Sequence, residues 1–179
     1  MLALLLLAVC ASGLVLVGTA APTVGRVLAG MVPRPTPTIT VAEPGTNLAY
    51  GKPVRVSKEL PSFLGSMAVD GNPNNRWGSG SHAPEWIEID LGAEYSISEV
   101  KLLPSQSPTG ETVHDLKVKG TSTNGKYSTL QTFRGMTADY QMLSLRLPAP
   151  VRGVRYVRVE TVRSPSWVSW REIEIIAGS

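Results

Sequence analysis

The chain has 179 residues, 42% of them hydrophobic and 17% charged. Seventeen Lys and Arg against 14 Asp and Glu leave a net charge of +3, too small for a surface that must neutralise many phosphates, so a nucleic-acid binder is excluded. The single cysteine, Cys10, lies in an apolar leader, which leaves the rest without a disulfide scaffold, a thiolate metal cluster or a cysteine nucleophile.

In chain order, the first element is Met1 to Ala21, which carries no charged side chain. At ~1.5 Å per residue it would make a helix of about 31 Å, enough to cross a ~30 Å hydrocarbon core. Residues 1–25 are read as a signal peptide or a transmembrane anchor. Gly18-Thr19-Ala20 suits cleavage, but no basic residue precedes the apolar run. Arg26 and Arg34 pull the following chain toward the cytoplasmic side by the positive-inside tendency. Residues 26–46 read as a Pro/Thr-rich linker, in which Pro33, Pro35, Pro37 and Pro44 favour extended, semi-rigid backbone.

From Asn47 to Ser179 the dominant period is two. Trp86-Ile87-Glu88-Ile89-Asp90-Leu91 puts Ile87, Ile89 and Leu91 on one face, and Glu172-Ile173-Glu174-Ile175 repeats the pattern. Further strand-like runs are 53–57, 97–103, 116–120, 142–147 and 155–162, separated by turn-rich stretches at 70–74, 105–110, 124–125 and 148–150. No window offers a helical apolar stripe, so the expected class is an all-β antiparallel sandwich. Its core should draw on Ile87, Ile89, Leu91, Val100, Leu102, Val157, Val159, Ile173 and Ile175, with Trp77 and Trp86 also inside. Arg155 breaks the apolar face of its strand and is expected at the strand entrance, with its head in water. The arginines between Arg146 and Arg171 are read as a solvated sheet face balanced by acids elsewhere.

Asp70-Gly71-Asn72-Pro73-Asn74-Asn75 is the most polar short stretch of the domain. By its residues it is either a turn held by Asx side chains, with Gly71 at positive φ, or a calcium loop supplying hard oxygens. The spacing does not match an EF-hand.

Asn47-Leu48-Ala49-Tyr50-Gly51-Lys52-Pro53-Val54, Ala68-Val69-Asp70-Gly71-Asn72, Arg76-Trp77-Gly78-Ser79, Glu85-Trp86-Ile87-Glu88-Ile89-Asp90-Leu91-Gly92, Arg155-Tyr156-Val157-Arg158-Val159 and Trp170-Arg171-Glu172-Ile173-Glu174-Ile175 follow one another in the order seen in discoidin, or coagulation factor V/VIII type C, domains. The stretch from about Asn47 to Ile176 resembles that family, close to family-32 carbohydrate-binding modules. The resemblance implies a galactose-binding-like jelly roll with a ligand site among the loops at one end. It also implies a noncatalytic role, because the family's members bind without being catalytic in themselves, and it narrows the class to binding without naming the ligand. It further implies a structural Ca²⁺ held by the carbonyls of Met67, Asn72 and Arg171, the carboxylates of Asp70 and Glu172, and Asn75. Galactose-binding members often carry His after the loop tryptophan and Arg after the proline that ends a central strand. Gly78 and Ser105 stand there instead, which counts against galactose in particular.

Candidate ligand contacts are therefore sought elsewhere on the loop end. They are Phe63 in the apolar loop 59–64, His82, Ser105, and Trp167 in the loop opened by Ser164-Pro165. Aromatic faces serve sugar C–H surfaces and lipid headgroup regions alike. The expected function is extracytoplasmic recognition of a cell-surface or polysaccharide glycan, either anchored by the N-terminal helix or secreted after its cleavage. The alternative is an adhesion domain for membrane phospholipid or a cell-surface protein. An enzyme is not expected: His82 and His114 lie in no nucleophile motif.

Overall fold

Alternating side chains along short segments leave one apolar face per strand, and two such faces must close on each other. In the computed structural model, which describes residues 38–121 and 123–179, they do so as an antiparallel β-sandwich. The strands are β1 (Val54–Val56), β2 (Trp77–His82), β3 (Glu85–Pro104), β4 (Gly110–Lys119), β5 (Ser128–Thr137), β6 (Leu143–Arg163) and β7 (Trp167–Ala177). The helical content of the described residues is one 3₁₀ turn, Gly65–Ala68. Residues 1–37 lie outside the described part, and with them the signal or anchor reading and most of the linker.

Two long strands belong to both layers. The first half of β3, through Asp90, pairs with β1 and with Tyr156–Thr161 of β6, and β4 and β5 extend that layer beyond β6. The second half of β3, from Ile97, pairs with β7 and with Leu143–Arg146 of β6, and β2 adds to β7. The turn expected at 148–150 is instead a bulge inside β6. Pairing jumps from Ile97↔Val151 to Glu99↔Arg146, which bends the strand from one layer toward the other. Prolines sit there because an irregular segment does not call on their missing N–H groups.

All nine residues expected in the core are fully buried, joined by Trp77, Trp170, Ile97 and Leu116. At ~1.5–3 kcal/mol for each buried large aliphatic side chain, this interior is the main source of stability. Trp86 corrects the expectation. It is half-buried on the outer face of its layer, where the Arg158 guanidinium stacks 4.0 Å from its ring centroid. Strict alternation with Ile87 and Ile89 forces it outward. Arg155 is also corrected in place: it lies in the middle of β6 and not at its entrance, and its partly exposed head is paired. It makes a bidentate pair with Asp90 at 2.8 and 3.0 Å, which holds the Asp90 carboxyl below its ordinary range. Arg158 adds a 3.0 Å bond to the buried Glu88, so the arginine-rich face is balanced by acids of β3.

The end of the stretch read as linker packs on this body. Thr40 donates its N–H to the Glu94 carbonyl at 2.6 Å, and Gly45 to that of Ala177 at 3.0 Å.

Candidate functional site

The loops at one end of the sandwich enclose an open cleft of about 540 Å³, and its wall includes Phe63, His82, Ser105 and Trp167. Each is placed by a local cause. The loop carrying Phe63 closes back on β2: Leu60 N–H donates to the Gly78 carbonyl at 3.1 Å, and Gly78 N–H donates to that of Phe63 at 3.0 Å. A methyl at Gly78 would stand 3.3 Å from Phe63 Cβ, so the aromatic ring takes the space that a side chain at 78 would need. Gly80, at φ +67°, makes the same room for Leu60.

Two residues expected in loops belong to strands. Trp167 opens β7 and pairs with His82, the last residue of β2. The indole is nevertheless 53% exposed, because it stands at the sheet end, beyond the core. Just before it, the buried Gln106 ties the loop down. Its Nε2 donates to Ser166 Oγ and to the Pro108 carbonyl, both at 2.9 Å, while Ser164 Oγ donates to its Oε1 at 3.1 Å. Ser105 N–H donates to the Ser169 carbonyl at 3.1 Å, which binds that wall to β7.

The charged lining was not anticipated. Arg171, expected to contribute only a carbonyl, points its guanidinium to the cleft. Its Nε and Nη2 bind Asp139 at 3.0 and 2.9 Å, and its Nη1 binds the Pro73 carbonyl at 3.3 Å. The pairing holds the Asp139 carboxyl down and raises the guanidinium. The same guanidinium lies 3.8 Å from the Tyr140 ring centroid. Arg76 also lines the cleft, 4.4 Å over Phe63. Arg76 was legible in one respect: it precedes buried Trp77, so alternation turns it away from the core. Asp139 gave no signal, because its partner is 32 residues away.

Beside the cleft lies the expected cation loop. Asp70 Oδ1 accepts the Asn72 N–H at 2.9 Å and Oδ2 accepts from Asn75 Nδ2 at 2.7 Å, an Asx-braced turn with Gly71 at φ +78°. Glu172 reaches the loop from β7, and both its oxygens accept the single Gly71 N–H, at 3.3 and 3.2 Å. Its carboxyl is pushed up to about 7, chiefly by burial and further by the charges of Asp70 and Glu174. Asn75 Oδ1 is buried with no hydrogen-bond donor. Two carboxylates and an orphaned amide oxygen are hard oxygen donors of the kind calcium takes. Among the described residues no group of three or more His, Cys, Asp or Glu side chains that could hold a metal ion is present.

The family model for the F5/8 type C domain matches residues 54–173. The chain belongs to that family. Chitosan-binding module 2 of a chitosanase/glucanase from Paenibacillus sp. IK-5, solved with chitotriose, is 30% identical, with 73% of this chain and 100% of that one covered and a TM-score of 0.61. A family 32 CBM from C. perfringens NanJ, solved with galactose, shares the fold at 15% identity and a TM-score of 0.61, covering 74% of this chain and 97% of that one. A polysaccharide lyase 8 family protein, HylA of Enterococcus faecalis, is 37% identical over 54 residues, which span 30% of this chain but 4% of that protein. Both of these solved neighbours are carbohydrate-binding modules by name.

Proposed function

We propose that this F5/8 type C domain binds carbohydrate in the cleft bounded by Phe63, His82, Ser105 and Trp167, outside the cytoplasm, with a structural calcium ion beside it. The observation that carries the reading is the half-exposed Trp167 at the rim of a cleft lined with serines. An indole face packs against the C–H surface of a pyranose, worth on the order of 1 kcal/mol beyond the area it buries. The hydroxyls of Ser105 and Ser107 and the His82 ring face the same space and can exchange water for sugar hydroxyls, each at a net ~0.5–1.5 kcal/mol. The similarity to glycan-bound modules supports the same role.

Asp70, Asn75 and Glu172 would hold the cation with their side chains, and Met67, Asn72 and Arg171 with their carbonyls. A bound Ca²⁺ supplies positive charge that neutralises the two carboxylates and ties the loop to β7. Arg171 then carries the effect toward the cleft, because one guanidinium bonds both Pro73 of the loop and Asp139 of the wall. A glycan array followed by titration of the bound glycan with Trp167→Ala tests the proposal. The expected result is discrete hits and at least a several-fold weaker variant with an unchanged melting temperature. Undiminished affinity in the variant, or an array without hits, would refute it.

A further inference from the structure

Four groups that bear or can bear charge line the cleft: Arg76, Arg171, Asp139 and His82. Two of them answer each other. Asp139 and Arg171 are joined by two parallel bonds at 3.0 and 2.9 Å, and the remaining Arg171 contacts are the Pro73 carbonyl and the Tyr140 ring. Arg76 has no carboxylate partner and no hydrogen bond among the described residues. Its guanidinium rests on Phe63, 4.4 Å from the ring centroid, and Phe63 is in turn wedged against Gly78. A planar fork of donors is thus held against an apolar wall, with no carboxylate among the described residues answering its charge. Such a fork matches the two oxygens of a carboxylate, or two of a sulfate.

The same accounting disfavours a cationic sugar. Asp139 is the one carboxylate among the described residues of the cleft wall, and Arg171 occupies both of its oxygens. Nearby Glu59 lies outside the wall and accepts the Gly65 N–H at 2.8 Å. An amino sugar would find no free carboxylate and would face Arg76. A neutral sugar would leave that charge partly desolvated and unpaired, which costs binding energy.

Resting on the carbohydrate reading above, we infer that the preferred ligand is an acidic glycan whose anionic substituent is taken by Arg76 while another part of the chain stacks on Trp167. The register sets the span. Trp77 pairs with Trp170 and His82 with Trp167, so Trp77 stands three residues of β7 from Trp167 and Arg76 one residue beyond that, four in all. At a rise of ~3.3 Å per residue this is roughly 13 Å, more than a single sugar ring covers.

The test is a glycan array of matched pairs, each uronic-acid-bearing, sialylated or sulfated oligosaccharide printed beside its neutral counterpart, with chitotriose included. The best pair is then titrated against wild type, Arg76→Gln, Arg76→Lys and Trp167→Ala, and each variant is checked by melting. The expected result is at least a tenfold preference for the acidic member, shrinking as salt rises. Arg76→Gln should lose that preference while retaining the neutral member's weak binding, Arg76→Lys should restore part of it, and Trp167→Ala should weaken both members alike. The carboxylated and sulfated arms tell which anion is taken. Equal binding of both members, a preference for chitotriose, or a preference that survives in Arg76→Gln overturns the inference while leaving carbohydrate binding intact. An array without hits overturns both.

Discussion

Glu172 offers a sharp test of the cation loop because its position is unfavourable without an ion. The residue is 6% exposed, accepts only the Gly71 N–H, and its carboxyl is pushed up to about 7 from an ordinary 4.5. A carboxyl whose value is raised on folding keeps its proton in the folded state after the unfolded chain has released it. Stability is therefore retained below pH 4.5 and lost as pH climbs through about 7. At ~1.36 kcal/mol per pH unit the loss is about 3 kcal/mol, or roughly 6–12 °C of melting temperature for a domain of this size. Glu172→Gln removes the titrating group. In chelator, wild type should melt markedly lower at pH 8 than at pH 5, after subtraction of the same difference measured for Glu172→Gln. Calcium at a hundredfold excess over its dissociation constant adds ~2.7 kcal/mol by mass action, to wild type only. Parallel melting curves for the two proteins across pH, or equal gains from calcium, would refute the site.

Buried His114 acts in the opposite sense. Burial lowers its ring to about 4 from 6.5, so its contribution is whole above pH 6.5 and falls by about 3 kcal/mol as pH drops toward 4. The two slopes oppose each other between pH 4.5 and 6.5. Urea unfolding at pH 7 and pH 4.5 should therefore compare Glu172→Gln with the double variant Glu172→Gln/His114→Gln, and the acid loss should shrink in the latter. Gly120→Ala should cost ~1–3 kcal/mol in urea unfolding, because its methyl would press on the Gly153 carbonyl and stand 2.8 Å from Glu94 Oε1. Wild-type stability there would mean the β4 end yields freely. Trp167→Ala should keep the melting temperature within a degree or two, since its indole lies outside the core; a large drop would make it a packing residue.

The core was readable because period two is a local signal. Ile87, Ile89 and Leu91 alternate with acids, and burial follows the alternation. Other elements lacked such a signal. β2 reads Trp-Gly-Ser-Gly-Ser-His, glycine-rich and poor in β-formers, and pairing with β7 makes it a strand. β5 is an edge strand with Leu130 and Phe133 only partly covered, so its alternation is faint. The aromatic and histidine contacts chosen from sequence line one cleft because loops at a sandwich end share a single space. Arg76 and Asp139 escaped notice because their roles depend on which charges meet across the fold. Arg171 answers Asp139 from β7, and among the described residues no carboxylate answers Arg76.

Glycan recognition is proposed for the loop-end cleft and not for the flat sheet. Two-dimensional NMR of the labelled protein, titrated with the glycan selected on the array, tests it directly. Saturable shifts are expected at Gly78, His82, Ser105, Ser169 and the Trp167 indole N–H. Shifts concentrated instead on Trp86, Tyr127 and Tyr156, where Arg158 and Lys119 already cover the rings, would contradict it.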